Sequence, residues 1–177
     1  MLIHTPTVAY PQVDPMPTNA LPRALSGLHL GILDNQKPNA RPLLEGVVGG
    51  LRERDHVAGA TFAQKPPNLA TSEEELARLS QANVQLVVVA SADCGSCTSW
   101  CIHDAIALER RGKPAIVLVT TAFLALARKE ANAYGMPELR IIEIPHPLGG
   151  ASAADVGRYA QQAIAGIEQL FAVRAAA

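Results

Sequence analysis

Cys94, Cys97 and Cys101 fall within eight consecutive positions, and no other cysteine is present. The first two form a Cys-x-x-Cys pair in the stretch Ser91-Ala92-Asp93-Cys94-Gly95-Ser96-Cys97-Thr98, between a β-branched run and a helical one. A thiol at a strand-to-helix junction faces the unpaired N–H groups of the first helical turn. The positive end of the helix favours thiolate over thiol, and thiolate is the attacking form. Cys97 is spaced to resolve a mixed disulfide or sulfenic acid on Cys94. Gly95 permits a sharp turn, and the amides of Ser96 and Cys97 can face an anion. Asp93 works against ionisation, because a neighbouring carboxylate raises a thiol pKa; its other role is proton acceptor. The bland reading is two buried, inert cysteines. Cys101 is expected to be a small buried core residue. The spacing C-x-x-C-x-x-x-C-x-H, ending at His103, matches no structural zinc pattern, so no metal is assigned.

Three other loops hold candidates. Asp34-Asn35-Gln36-Lys37-Pro38-Asn39 follows the first apolar run and lacks the glycines of a dinucleotide fingerprint. Lys37 offers charge, and Asn35 and Asn39 offer hydrogen bonds, to a substrate; the plain alternative is a turn with Asn39 as helix cap. Thr120-Thr121 brings two hydroxyls to a strand end, and Thr121 is the candidate substrate contact, a role compatible with capping the next helix. His146 stands between Pro145 and Pro147, ahead of Gly149-Gly150. It is the candidate general acid or base for Cys94. His4, His29, His56 and His103 fall in tail, strand or helix positions and are read as structural.

These loops need a frame. Residues 1–26 carry Pro6, Pro11, Pro15, Pro17 and Pro22. Prolines fix φ and remove donors, so this is an extended arm, expected to pack on the domain or on a partner subunit. Residues 27–177 then alternate. Strands are predicted at Leu28–Asp34, Val57–Gln64, Val84–Ala90, Ala115–Thr120 and Leu139–Ile144. Helices are predicted at Asn39–Arg54, from a Thr71 or Ser72 cap through Gln81, at Cys97–Arg111, at Ala122–Tyr134 and from Ser152 to Arg174. Gly49 and Gly50 weaken the middle of the first helix. Five βα units imply a doubly wound, three-layer α/β domain with a five-stranded parallel sheet, flavodoxin/Rossmann-like, for which the flavodoxin-like order 2-1-3-4-5 is one arrangement. Ligands of such folds bind beyond the carboxyl ends of the strands, near the junction of strands 1 and 3.

Composition narrows the classes. The chain has 177 residues, 15 basic and 16 acidic side chains, and a net charge of −1. Without a basic surplus, a nucleic-acid backbone is not the expected partner. Charged residues make up 18%, which leaves spare apolar surface and predicts a homo-oligomer. The longest nearly apolar stretch, Ala115 to Ala127, is too short for a membrane span. The first residues carry no basic and apolar leader pattern, and a cytoplasmic location is expected.

Cys94-Gly95-Ser96-Cys97 resembles the Sec/Cys-Gly-Ser-Cys motif of the UGSC (seleno)protein family, here in its cysteine form. The stretch DCGSCTSWCIHDAIALERRGKPAIVLVT is similar to the selenocysteine segment of the substrate-activating subunits of glycine, betaine and D-proline reductases. IPHPLGG is similar to a Pro-His-Pro-Leu-Gly segment of the same subunits. The resemblance is firmest over residues 84–165. It implies that Cys94 holds the selenocysteine position, Cys97 the resolving position and His146 that of the matched histidine, with sulfur in place of selenium.

The expectation is a cysteine-dependent enzyme, an oxidoreductase of the UGSC type. Cys94 thiolate attacks a small anionic substrate and Cys97 resolves the adduct. Gly95, Ser96, Asn35, Lys37, Asn39 and Thr121 bind substrate, and His146 moves protons. No cofactor is evident beyond an external thiol or dithiol reductant. The alternatives are a non-redox hydrolase, lyase or racemase, a thiol–disulfide oxidoreductase, and a non-enzymatic ligand-binding subunit.

Overall fold

Apolar runs rich in valine and isoleucine, separated by amphipathic stretches, fold into alternating strands and helices. The structure, a computed structural model, describes residues 13–175. In chain order the elements are β1 (His29–Asp34), α1 (Ala40–Asp55), β2 (Gly59–Gln64), α2 (Glu73–Leu79), β3 (Leu86–Ala92), α3 (Gly95–Arg110), β4 (Ala115–Thr120), α4 (Leu124–Ala133), β5 (Arg140–Ile144) and α5 (Ala153–Ala175). A 3-10 turn, Thr121–Phe123, leads into α4.

The strands are all parallel and ordered β2-β1-β3-β4-β5, the predicted doubly wound α/β arrangement. β3 and β4 are buried along their whole length, which is why their sequences read as continuous apolar runs. Leu30, Ile32, Val88, Ile116 and Leu118 face α1 and α5, while Leu33, Val87, Val89, Val117 and Val119 face α2, α3 and α4. The alternation follows from the two-residue period of a strand. Gly50, which weakens α1 by propensity, has a packing reason. A Cβ there would stand 2.3 Å from Ile164 Cδ1, so the missing side chain lets α5 approach α1.

The described part of the N-terminal arm lies against this body; residues 1–12 fall outside the described residues. Met16 N donates to Gly135 O at 2.6 Å. Asn19 donates to the Glu109 carboxylate through its amide N and through Nδ2, each at 2.6 Å. Glu109 is 4% exposed and also accepts from Ala115 N at 2.9 Å and Arg140 Nη1 at 3.0 Å. A buried carboxylate is tolerated when its lone pairs are filled in this way. Leu21 and Leu25 enter the core on the α1 and α5 side. Among the described residues no helix is long and apolar enough to cross a membrane.

Candidate active site

The carboxyl ends of β1, β3, β4 and β5 gather the predicted loops at one end of the sheet. At its centre α3 begins at Gly95, earlier than the Cys97 start that the spacing predicts, because Cys94 itself is the N-cap. Its backbone is extended, with φ −155° and ψ 170°. Its Sγ accepts the Cys97 N–H at 3.2 Å, the place where a Ser or Asp oxygen usually sits in a helix cap. Its carbonyl accepts the Thr98 N–H at 2.9 Å and the Thr98 hydroxyl at 2.7 Å. The sulfur therefore sits directly on the positive end of a 16-residue helix.

Cys94 and Cys97 are joined as a disulfide. Cys94 is half-buried and Cys97 only 3% exposed, so Cys94 is the outer sulfur and Cys97 the inner one. Ser96 Oγ lies 3.6 Å from Cys94 Sγ and donates to Asn68 Oδ1 at 3.2 Å. Gly95 is exposed, and nothing lies within 4 Å of where its Cβ would be, so the helix start is open there.

His146 is held from two sides. Its Nδ1 lies 3.0 Å from Asp93 Oδ1 and 3.1 Å from Thr120 Oγ1. Phe123 meets the ring edge-on at 5.7 Å. The same Asp93 carboxylate accepts from Leu148 N at 3.0 Å and Gly149 N at 2.8 Å. Asp93 thus turns toward the β5 loop, and no hydrogen bond links His146 directly to Cys94. The two are connected through the Asp93–Cys94 peptide. With Nδ1 engaged by Asp93, Nε2 is the nitrogen left to exchange protons.

The remaining candidates divide. Lys37 is half-buried, and its ammonium has no hydrogen bond or ion pair among the described residues. Asn35 is 2% exposed. Its amide donates to Ser91 O at 2.7 Å and contacts Cys101 Sγ at 3.6 Å, so here it braces the base of the cysteine loop. Asn39 Nδ2 donates to Leu148 O and Ala151 O, each at 2.9 Å, tying the β1 loop to the β5 loop. It adopts φ 64° and makes no side-chain cap on α1. Thr121 is exposed and donates to Ile144 O at 3.2 Å. Strand alternation directs Thr120, not Thr121, to His146, because Thr120 shares a face with Ile116 and Leu118.

Sequence reasoning missed a buried pair beneath the site. Lys65 Nζ and Asp104 Oδ2 lie 2.5 Å apart, and each residue is 1% exposed. Lys65 follows β2, a position where a lysine is ordinarily solvated; here it is buried against Asp104 of α3. Cys101 lies near this pair, wholly buried. Burial pushes its thiol from the usual 9.0 up to about 12, against the pull of the Lys65 ammonium.

Comparison with known proteins adds two positive findings. The structure is similar to a chain described as a CpaE2 pilus assembly protein from Sinorhizobium meliloti, at 16% identity and a TM-score of 0.38, over 76% of this chain and 98% of that one. None of the curated proteins compared matches the chain. The family model of the UGSC family matches residues 2–173, nearly the whole sequence, and with it the Cys94-Gly95-Ser96-Cys97 helix start. The chain belongs to the UGSC family.

Proposed function

We propose that the protein is a cysteine-dependent enzyme, an oxidoreductase in which Cys94 thiolate attacks a small anionic electrophile and Cys97 resolves the adduct. The single observation that carries this reading is the Cys94 Sγ at the α3 N-cap, accepting the Cys97 N–H at 3.2 Å. That position stabilises negative charge on sulfur without a metal or a base. The outer placement of Cys94 and the inner placement of Cys97 supply the division of labour.

In the first step Cys94 sulfur forms a bond to the substrate carbon and the leaving group departs with the bonding pair. In the second, Cys97 thiolate attacks Cys94 sulfur. The S–S bond forms, the S–C bond breaks, and the carbon keeps the pair and takes a proton. In sum, two thiolates, the substrate R–X and one proton give the disulfide, R–H and X⁻. The dithiol is oxidised by two electrons and the substrate is reduced by two. An external dithiol then restores the thiols. A carbonyl beside the reacting carbon makes it a workable leaving carbanion, so the substrate class is an α-substituted carbonyl acid. His146 Nε2, with Nδ1 held by Asp93, supplies the proton. Lys37, whose ammonium has no ion pair among the described residues, is the cation for the acid group. The likeness of the cysteine segment to the selenocysteine segment of amino-acid reductase subunits supports the same assignment of roles.

The test is intact-mass analysis of the Cys97→Ser variant after incubation with a metabolite extract. The expected result is a covalent adduct mapped to Cys94, absent from Cys94→Ser. A non-redox hydrolase, lyase or racemase instead keeps turning over without Cys97 and accumulates no such adduct.

A further inference from the structure

The segment after β2, Pro66-Pro67-Asn68-Leu69-Ala70, belongs to none of the loops assigned above, yet it is fastened beside the thiol. One carboxylate holds both of its ends. Asp104 Oδ2 takes Lys65 Nζ at 2.5 Å, and Oδ1 takes Thr71 N at 3.0 Å. Asp104 lies on α3, the helix that Cys94 caps, so the segment is pinned to the element that carries the reactive sulfur. In its middle Asn68 turns through φ 64°, and its Oδ1 accepts the Ser96 hydroxyl 3.6 Å from Cys94 Sγ. Leu69, the next residue, is 57% exposed. Leu69 follows directly on the residue that bonds the thiol loop, and its apolar side chain is open to solvent in the free protein. It gains by contact when a ligand removes it from solvent.

We infer that residues 66–70 form the specificity wall of the thiol site, with Leu69 as the apolar contact for a substituent carried next to the reacting carbon. The inference rests on Cys94 being the attacking thiol. It adds that the preferred electrophile carries an apolar group as well as its leaving group. Asn68 and the Lys65–Asp104 pair are positioning groups, and Leu69 touches the substrate.

Two alkylating probes test it on the full-length, reduced protein: iodoacetamide and N-benzyl-iodoacetamide. In both, sulfur forms a bond to the CH2 carbon and iodide leaves, so they differ only in the apolar group. Rates at Cys94 are read by peptide mass mapping and normalised to a free thiol, glutathione. The normalised benzyl rate should exceed the iodoacetamide rate by about fivefold in the native protein, as expected for partial burial of a leucine side chain. Leu69→Ser should bring that ratio to about one. Asn68→Ala, which unties the wall from α3, should lower the ratio as well. An equal ratio in the native protein, or an undiminished ratio in Leu69→Ser, overturns the inference while leaving Cys94 as nucleophile. If Cys94 reacts with neither probe faster than glutathione, both the wall and the proposed function fall.

Discussion

Asp93 Oδ1 stands 3.0 Å from His146 Nδ1, and the residue that follows Asp93 is the cysteine capping α3. One carboxylate therefore orients the imidazole, and it also closes the β5 loop through the Leu148 and Gly149 amides. Asp93→Ala leaves those two donors without their acceptor. The Gly149 donor is exposed and can turn to water, so the expected cost is about 1–3 kcal/mol from the Leu148 amide, read as a lower urea midpoint with an unchanged slope. Asp93→Asn keeps one acceptor oxygen and should lose less.

Lys65 and Asp104 form an ion pair away from solvent at 2.5 Å. Lys65→Met strands the Asp104 charge and should destabilise by roughly 3–5 kcal/mol. The double variant Lys65→Met with Asp104→Leu should recover part of that loss, because it removes the stranded charge but leaves the buried Thr71 N–H without its acceptor. Urea unfolding of the three variants checks this; a double variant no better than the single one would contradict it.

Cys101 gives stability a pH dependence of known sign. Its folded thiol is raised from 9.0 to about 12 by burial. Between those values an unfolded chain has released the proton that the folded chain still holds. Stability contributed there is intact below about 9 and lost as pH rises toward 12. Cys101→Ala should show a shallower alkaline decline in urea midpoint than the native protein. Identical declines would contradict it.

Much of the frame is legible in the chain. Val87-Val88-Val89 and Ile116-Val117-Leu118-Val119 are strands buried on both faces, and their apolar continuity says so directly. The order of the strands is less directly legible, because apolar continuity marks a strand as buried without naming its neighbours. The start of α3 was harder, because Cys-Gly-Ser reads as loop by propensity, and only the sulfur's use as a cap pulls the helix back to Gly95. The choice between Thr120 and Thr121 turned on strand alternation at the last residue of β4, where a one-residue boundary shift reverses the answer. Asn35 and Asn39 illustrate a wider difficulty. Polar residues in adjacent loops look like ligand contacts, whereas here Asn35 bonds Ser91 O and Asn39 bonds Leu148 O and Ala151 O. Which partner an amide finds depends on loops far apart in sequence, and local pattern does not carry that.

The central claim is that the sulfur of Cys94 ionises readily because it caps α3. The direct measurement is the pH dependence of iodoacetamide alkylation at Cys94 in the Cys97→Ser variant. The account predicts an inflection below the ordinary thiol value of about 8.5. An inflection at or above that value would contradict it.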